Sequence, residues 1–235
     1  MAETREPTIS AVIPALDESE LIASTIRRLA RECSEVIVVD GGSRDDTVRQ
    51  SRAAGATVAL APGSNRAVAL NAGARLASGD ILYFIHADCT PPFGFAADIQ
   101  AAIRGGASAG CFRLRFDSDH PLLRASGWFT RFNIDLFRFG DQSFFVHKRV
   151  LESCPFNELM NVLEDQDIIR RLHRKARFDV LEQSVTVSPR AYTTYGLYRT
   201  QLVTYPTAIA AYRLGVSPPR LDRLYRRLLG ARRDP

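Results

Sequence analysis

The sequence predicts an α/β fold in which a mostly parallel central sheet is flanked by helices. Residues 36–39 and 81–85 form short apolar runs rich in β-branched and aromatic side chains, which is typical of strands buried on both faces. Along the first half of the chain such runs alternate with helical patterns, so right-handed β-α-β crossovers should join the strands. A chain of 235 residues is long enough for one domain of this kind with a sizeable core.

The first half of the chain contains four predicted strands and three predicted helices. The strands are expected at residues 9–13, 35–39, 56–60 and 81–85, and the helices at residues 19–33, 45–54 and 66–76. Pro14 should close the first strand. Asn65 ends a Pro-Gly-Ser-Asn turn and should cap the third helix, which Ser78-Gly79-Asp80 should stop.

The second half is less regular. A helix should run from Pro91 to about residue 104, and an aromatic helix or helix pair should occupy residues 121–137. Strands are expected at residues 107–116 and 142–146 and near residues 178–181 and 185–187, with a helix after Glu164 and a helical C-terminal part. No repeat or low-complexity linker divides the chain, so residues 1–235 should form a single domain.

The charge and the cysteine content limit the kinds of ligand and the cellular compartment that we expect for this protein. The net charge of +5 suits an anionic substrate, such as a nucleotide diphosphate, or an anionic membrane. Nucleic acid is not expected, because much of the excess charge lies in one C-terminal arginine cluster and no nucleic-acid motif is present. The four cysteines form no CxxC pair, which indicates a reducing compartment. The polar N-terminus and the lack of a span-length apolar run predict a cytoplasmic protein.

Three apolar segments run into acidic residues. These are Asp40, His86-Ala87-Asp88 and Glu164-Asp165. Ligands of open α/β sheets bind beyond the carboxyl ends of the strands. Carboxylates there suit a metal ion, a ribose or a base edge, so the three segments should form one polar site.

Each segment also has a structural reading. Asp40 precedes Gly41 and Gly42, which allow a tight turn and close approach of a base or ribose, whereas Asp45 or Asp46 could simply cap the next helix. Asp88 suits a divalent cation bound to a diphosphate, which needs only one or two protein carboxylates. His86 could bond a ribose hydroxyl or be a satisfied histidine at the sheet rim.

The acidic run from Glu164 to Asp167 precedes a helical pattern. Its carboxylates could interact with the helix dipole, or one of them could be a catalytic base. At a helix start, the neighbouring N–H groups should favour the ionised form of Asp165. A reference Asp with a pKa of about 3.9 is already deprotonated at neutral pH, so a base at this position needs no pKa shift.

Taken together, these motifs resemble the family 2 glycosyltransferases, which have the Rossmann-like GT-A fold. The resemblance covers about residues 8–200. Its motifs are Val12-Ile13-Pro14 with Asp17-Glu18, residues 38–43 with Asp45-Asp46-Thr47, Asn71-Ala72-Gly73, Ser78-Gly79-Asp80, His86-Ala87-Asp88 and Glu164-Asp165. Gly140-Asp141-Gln142 and residues 66–73 are similar to a bacterial subgroup of short, stand-alone transferases.

The resemblance implies an enzyme that moves a sugar from a nucleoside diphosphate sugar, usually UDP-linked, to an acceptor hydroxyl by a single inverting displacement. It implies a nucleotide half at residues 8–115, an acceptor half at 116–200 and a helical tail at 201–235. The implied nucleotide contacts are Pro14, Glu18, Asp40, Gly41, Asn71, His86, Ala87 and Asp88. Asp88 would hold Mg²⁺ or Mn²⁺, and Asp165 would be the general base. The transferred sugar, the acceptor or the diphosphate would meet Asp141, Gln142, Glu164 and Arg190.

His86 departs from the family pattern, because it replaces the first acid of Asp-x-Asp and could weaken metal binding. A pseudoenzyme that binds a nucleotide-sugar or a lipid is therefore the alternative, although Asp88 and Asp165 argue against it. A dinucleotide dehydrogenase and a P-loop enzyme are not expected, because neither G-x-G-x-x-G after the first strand nor G-x-x-x-x-G-K is present. The first strand also lacks the Gly-rich, Lys-containing loop of a sugar nucleotidyltransferase.

A C-terminal amphipathic pattern allows two readings. Leu221, Leu224, Leu228 and Leu229 fall on one helical stripe among several arginines. Such a helix could lie on the inner face of an anionic membrane, or it could pack on the domain with its arginines in solvent. Packing on the domain is the favoured reading.

Overall fold

The computed structural model describes residues 5–138 and 140–230. Within these ranges the strands are β1 (Ile9–Ala15), β2 (Glu35–Asp40), β3 (Thr57–Leu60), β4 (Ile81–Phe84), β5 (Cys89–Thr90), β6 (Ala109–Phe116), β7 (Phe144–His147) and β8 (Phe178–Val187). They form one sheet in the order β3-β2-β1-β4-β7-β6-β8-β5.

The helices cover both faces and one end of this sheet. They are α1 (Ile22–Leu29), α2 (Thr47–Ala53), α3 (Arg66–Leu76), α4 (Phe95–Arg104), α5 (Pro121–Phe129), α6 (Lys148–Ser153), α7 (Glu164–His173), α8 (Arg190–Tyr195), α9 (Tyr205–Arg213) and α10 (Pro218–Leu229). Two 3₁₀ turns, Asp135–Phe137 and Gly140–Gln142, and a π-helix, Arg199–Thr204, complete the described elements.

The first four strands form the predicted parallel part of the sheet. β1 is parallel to β2 and β4, and β2 is parallel to β3. β7 lies antiparallel to β4 and β6, whereas β6 is parallel to β8. The predicted fold class, a mixed α/β domain with a mostly parallel sheet flanked by helices, is confirmed.

Side chains of the central strands alternate between two apolar layers, as the period of a strand requires. In β1, Ile9, Ala11 and Ile13 face the layer that contains α1 and α4, whereas Val12 faces the layer that contains α3 and α7. Gly73 lets α3 come close to β1, because a Cβ at this position would lie 2.3 Å from Val12 Cγ1. Apolar side chains therefore pack on both faces of the sheet, which positions the loops at the strand ends.

Several predicted elements differ from the observed ones. β1 continues through Pro14 to Ala15, since its register with β4 ends at Val12 and proline is tolerated where one side of a strand is unpaired. The two short strands expected near residues 178–181 and 185–187 are one strand, β8, whose register with β6 shifts between Phe112 and Arg113. The short elements α6 and β5 were not predicted.

The C-terminal helices pack on the domain. Leu221 of α10 is fully buried in a small apolar cluster with Met160, Leu163, Ala208 and Ile209. This contact agrees with the packed reading of the leucine stripe. In the part of the chain that the structure describes, no helix combines the length and the apolar character that spanning a bilayer would need.

Candidate functional site

A cavity of about 700 Å³ opens at the carboxyl ends of β1, β2 and β4. The loops after these strands form one side, and β6, α5 and the C-terminal helices form the other. Of the residues expected in the site, the following line this cavity: Pro14, Glu18, Gly41, His86, Ala87, Asp88, Asp141, Glu164, Asp165 and Arg190. The volume lies in the range of about 300–1,000 Å³ that is usual for small-molecule sites.

Hydrogen bonds between two loops shape the end of the cavity near β1 and β2. The Asp17 N–H donates to Ser43 Oγ at 2.9 Å, and the Arg44 N–H donates to Asp17 Oδ1 at 2.8 Å. The Glu18 N–H donates to Thr47 Oγ1 at 2.8 Å. These bonds hold Pro14, Glu18 and Gly41 against the same part of the cavity.

Asp40 organises its own loop. Its Oδ1 accepts from the N–H groups of Gly42 and Ser43, both at 3.0 Å, and its Oδ2 accepts from Ser43 Oγ at 2.5 Å. The residue is only 2% exposed. A carboxylate offers about four acceptor sites. Asp40 can therefore accept one more hydrogen bond while it holds the glycine turn in place.

Asp45 has the structural role that was weighed for it. Its Oδ1 accepts from the Thr47 N–H at 2.9 Å and from Thr47 Oγ1 at 2.5 Å, and its Oδ2 accepts from the Ser19 N–H at 3.1 Å. Partial burial would raise the pKa of Asp45, but these hydrogen bonds outweigh burial and hold the pKa well below its usual value. Asp46 pairs with Arg49 on the surface instead.

His86 and Asp88 follow β4 at the centre of the cavity. His86 Nδ1 lies 3.3 Å from Asp141 Oδ1, so this carboxylate orients the imidazole ring. Burial would raise the pKa of Asp141, but the hydrogen bond and charge of His86, together with Arg66, lower it overall. Asp141 therefore stays ionised beside the ring.

His86, Asp88 and Cys89 form a possible metal-ligand group, because one ligand atom from each lies within 4.8 Å of the others. Burial raises the pKa of the Cys89 thiol well above its usual value, so this sulfur stays protonated and is a poor ligand. An imidazole and a carboxylate remain. The carboxylate suits Mg²⁺ and Mn²⁺ alike, whereas the imidazole nitrogen suits Mn²⁺ better than Mg²⁺, which takes oxygen ligands.

Asp165 lies near the start of α7 and faces the cavity. Its Oδ1 accepts from the Gln166 N–H at 2.7 Å, and its Oδ2 accepts from the Gly140 N–H. The close approach of this turn needs glycine, because a Cβ on Gly140 would lie 2.9 Å from Asp165 Oδ2 and 3.2 Å from His86 Nε2.

The pKa of Asp165 departs from the reference value, in the direction opposite to the one that a helix start favours. Burial and the adjacent Glu164 carboxylate raise the pKa of Asp165 to about 6, against the opposing effects of Arg66 and of the N–H groups of Gln166 and Gly140. A small apolar cavity of about 20 Å³ adjoins Asp165 and explains the poor solvation, since Phe84, Phe144 and Ile168 also line it.

Glu164 is buried beside Asp165 and forms an ion pair with Arg66, at 3.1 Å between Oε1 and Nη1. Arg66 is the first residue of α3, whose N-terminus Asn65 caps by accepting from the Val68 N–H at 2.9 Å. Asp167, a rival for the base, is engaged elsewhere, because its oxygens accept from Arg171 and from the Tyr212 hydroxyl.

Three residues expected in the site, Asp40, Asn71 and Gln142, do not belong to the described cavity lining. Asn71 Nδ2 donates to the Phe156 carbonyl and to Glu158 Oε1, both at 2.9 Å, and Asn71 Oδ1 accepts from the Phe156 N–H at 3.0 Å. Gln142 is fully buried and donates to the Phe112 carbonyl at 3.2 Å. The observed bonds of Asn71 and Gln142 are to other parts of the protein, and a contact of either residue with substrate stays a prediction.

Sequence reasoning missed the contribution of the C-terminal segment. Tyr192, Tyr205 and Tyr225 line the cavity from α8, α9 and α10, and Arg190 pairs with Glu18 across it at 2.6 Å. A signal was available, because six of the seven tyrosines follow residue 190. The expected helical tail therefore forms a wall of the site.

Backbone strain marks the same region. In the described ranges, the non-glycine residues with positive φ are Asp17 at 53°, Ser143 at 44° and Leu163 at 59°. Asp17 lies in the loop after β1, Ser143 follows the Gly140–Gln142 turn, and Leu163 precedes Glu164. Such conformations cost about 1–3 kcal/mol each and cluster at functional sites.

Known proteins share this fold. The mannosyltransferase PcManGT from Pyrobaculum calidifontis, in complex with GDP-Man and Mn²⁺, has a TM-score of 0.66 at 19% identity and covers 97% of this chain and 69% of its own. TarS 1–349 of S. aureus, in complex with UDP-GlcNAc, has a TM-score of 0.64 at 16% identity over 94% of this chain and 71% of its own. Glucosyl-3-phosphoglycerate synthase from Mycobacterium tuberculosis, in complex with Mn²⁺, UDP and glucosyl-3-phosphoglycerate, has a TM-score of 0.60 at 21% identity, with coverages of 97% and 82%.

Sequence comparison identifies the family. A glucosyl-3-phosphoglycerate synthase from Mycolicibacterium paratuberculosis is 36% identical over 99 residues, which span 36% of this chain and only 30% of the relative. The model of the family described as Glycosyl transferase family 2 matches residues 10–156, which is more than half of the chain. The protein belongs to glycosyl transferase family 2.

Proposed function

We propose that the protein is an inverting glycosyltransferase that moves a sugar from a nucleoside diphosphate sugar, with a UDP-linked donor favoured, to an acceptor hydroxyl. The observation that carries this proposal is the environment of Asp165. Its carboxylate faces the same cavity as Asp88, is held by two backbone N–H groups, and has a pKa raised to about 6. A base with such a pKa is ionised at neutral pH and still accepts a proton well.

In the proposed reaction, Asp165 takes the proton of the acceptor hydroxyl. The acceptor oxygen then bonds to the anomeric carbon as the bond from that carbon to the diphosphate oxygen breaks. One displacement from the opposite face inverts the anomeric centre, and it needs one base and no protein nucleophile. The bonds from Gln166 and Gly140 fix the position of Asp165 for this transfer.

The diphosphate would lie between Asp88 and Arg190, which line the cavity together. A divalent cation held by Asp88, with His86 as a second ligand, would stabilise the charge that develops on the leaving diphosphate. Asp141 orients His86 for this contact. Mn²⁺ is favoured by this mixed ligand pair, and Mg²⁺ is the alternative.

The base of the nucleotide would rest against Pro14, Glu18 and Gly41. Asp40 lies behind this lining and is 2% exposed, so it would hold the loop and accept the base N–H only through its one remaining acceptor site. Two of the structural neighbours are complexes with UDP or UDP-GlcNAc and one with GDP-Man, so UDP is the favoured nucleotide and GDP the alternative. Calorimetric titration of UDP, GDP and dTDP distinguishes them. Asp40→Ala should weaken the binding of the preferred nucleotide by about 1–3 kcal/mol.

Release of nucleoside diphosphate from a panel of donor sugars tests the transferase proposal. Asp165→Asn should lower turnover by about 10²–10⁴-fold, because it keeps the shape of the side chain and removes the base. Nucleotide affinity should be unchanged. Asp179→Asn is the matched control, since Asp179 pairs with Arg177 at an exposed position and such pairs contribute little.

Three outcomes would contradict parts of this proposal. Near-normal turnover in Asp165→Asn would move the base to Glu164 or Asp141. Nucleotide binding without release from any donor would favour the pseudoenzyme alternative. UDP should also bind more tightly in the presence of Mn²⁺ than in the presence of EDTA, and Asp88→Asn should remove that difference. Equal affinity for UDP under both conditions would contradict the proposed role of the metal.

A further inference from the structure

One side of the cavity is aromatic and carries no charged side chain. We call it the tyrosine compartment and define it by Phe116, Tyr192, Gln201, Tyr205, Tyr225 and Leu229. The rings of Phe116 and Tyr192 meet edge to face with centroids 5.5 Å apart, and those of Tyr205 and Tyr225 stack at 6.4 Å. Gln201 Nε2 donates to the Tyr192 hydroxyl at 2.7 Å.

The tyrosine compartment lies away from the expected position of the base and next to the catalytic carboxylates. Phe116 ends β6, which is separated from β1 by β4 and β7, whereas the base loops follow β1 and β2. Burial is the main cause that raises the pKa of the Tyr225 phenol; the hydrogen bond with Tyr205 and the charge of Arg66 lower it, and the charges of Asp165 and Asp141 raise it, so Tyr225 lies near the Arg66–Glu164 pair and both carboxylates. A molecule in the compartment would therefore face Asp165 from the side opposite the nucleotide.

The hydroxyl groups of the compartment are neutral. Burial raises the pKa of Tyr225 to about 12 and the pKa values of Tyr192 and Tyr205 further above the usual range. Each phenol can therefore donate and accept hydrogen bonds at physiological pH. Apolar ring faces with a few neutral hydroxyl and amide groups suit a ligand that has both an apolar face and hydroxyl groups.

The compartment is unsuited to an anion. Of the described residues that line the cavity, only Arg66 and Arg190 carry a permanent positive charge, and each faces a carboxylate, of Glu164 and Glu18 respectively. A phosphate or carboxylate in the compartment would lose its hydration without gaining a cation, and Asp141 and Asp165 would repel it.

We propose that the acceptor is an uncharged, ring-bearing alcohol whose apolar face packs on Tyr192, Tyr205 and Tyr225 while its hydroxyl group points at Asp165. This inference rests on the proposed function and adds the chemical class of the acceptor. It sets the chain apart from a structural neighbour that is recorded in complex with phosphoglyceric acid, an anion. A pyranoside and a small aryl alcohol share the required chemistry.

The test compares acceptors of matched skeleton with the preferred donor and the full chain. The uncharged arm contains methyl glucosides and phenyl-substituted alcohols. Comparing these two kinds of compound shows whether the acceptor is a sugar or an aryl alcohol. The anionic arm contains glucuronic acid, glucose 6-phosphate and phosphoglyceric acid. Acceptor-dependent release of nucleoside diphosphate, with the glycosylated product identified by mass spectrometry, should favour the uncharged arm by at least about tenfold in kcat/KM.

Variants of the compartment separate acceptor binding from donor binding. Tyr225→Ala should raise the acceptor KM by about tenfold, whereas Tyr225→Phe keeps the ring and should retain most of the acceptor affinity. The affinity for UDP should not change in either variant. Tyr198→Ala is the matched control, because Tyr198 is 62% exposed and lies outside the cavity lining. Gln201→Lys should shift preference toward the anionic arm by adding a cation.

The outcomes distinguish the two proposals. Donor use with preference for the anionic arm would overturn the acceptor class and leave the transferase proposal standing. Weaker UDP binding in Tyr225→Ala with an unchanged acceptor KM would show that the compartment holds the base and would overturn the inference. Failure to bind or use any donor sugar would overturn both.

Discussion

Opposite shifts of the pH profile in Glu164→Gln and Arg66→Gln would test Asp165 as the base. A base must be ionised, so turnover of the wild type should rise with pH around the pKa of about 6 and level off above it. Glu164 raises this pKa and Arg66 lowers it. Glu164→Gln should therefore move the acidic limb of the profile to lower pH, and Arg66→Gln should move it to higher pH.

The size of the effect follows from the ionised fraction. Removing a neighbouring charge shifts a carboxyl pKa by about one unit. At pH 5, the ionised fraction of Asp165 would then rise from about one tenth to about one half in Glu164→Gln. At pH 6, it would fall from about one half to about one tenth in Arg66→Gln. Each change is about fivefold relative to the plateau of the same variant.

The assay is kcat/KM for nucleoside diphosphate release, measured from about pH 4.5 to about pH 8.5. Arg177→Gln is the matched control, because it removes an exposed arginine that pairs with Asp179 and that is not among the residues lining the cavity, and it should leave the profile unchanged. Limbs that stay in place, or that move in the same direction in both variants, would refute the reasoning. Complete loss of turnover in Glu164→Gln would instead identify Glu164 as the base.

Three further predictions concern the supporting residues. Gly140→Ala should lower turnover by about 10- to 100-fold without weakening UDP binding, because its Cβ would displace the Asp165 carboxylate; normal kinetics would contradict this. Asn71→Ala should lower the free energy of unfolding by about 1–3 kcal/mol in urea titrations and leave nucleotide affinity intact; the reverse pattern would restore Asn71 as a nucleotide contact. Leu221→Ala should lower the free energy of unfolding by about 2–5 kcal/mol, since this side chain is fully buried. Arg223 is exposed, so Arg223→Ala should lower the free energy of unfolding by less than about 0.5 kcal/mol. An equally small change in Leu221→Ala would mean that α10 does not pack as described.

Local sequence patterns predict the half of the site that follows the strands. The apolar runs before Asp40 and Asp88 define buried strands, and the rule that ligands bind at strand ends then places the site. The turn chemistry of Asn65 is equally local, and its capping bond to the Val68 N–H is observed. Such features depend on a few neighbouring residues, so a sequence contains enough information for them.

Features that depend on tertiary contacts were not accessible in this way. The pKa of Asp165 depends on burial and on Arg66, which is 99 positions away in sequence. Gln142 adjoins Asp141 in sequence, yet its side chain is fully buried and donates to the Phe112 carbonyl of β6. The stripe of α10 indicates a helix with one apolar face, but periodicity does not say what that face covers.

The division of the cavity between two stretches of chain has a consequence for how such enzymes diversify. The stretch that matches the family ends at Phe156, and it carries the cavity loops after β1, β2 and β4 together with Asp88. Tyr192, Tyr205 and Tyr225 come from the stretch that follows. Substitutions at these tyrosines could therefore change the aromatic side of the cavity without touching Asp88, provided that Asp165 and Arg190, which also follow residue 156, are kept. A hybrid chain that exchanges only the segment after Arg190 would carry over Tyr192, Tyr205 and Tyr225 and keep Asp88, Asp165 and Arg190.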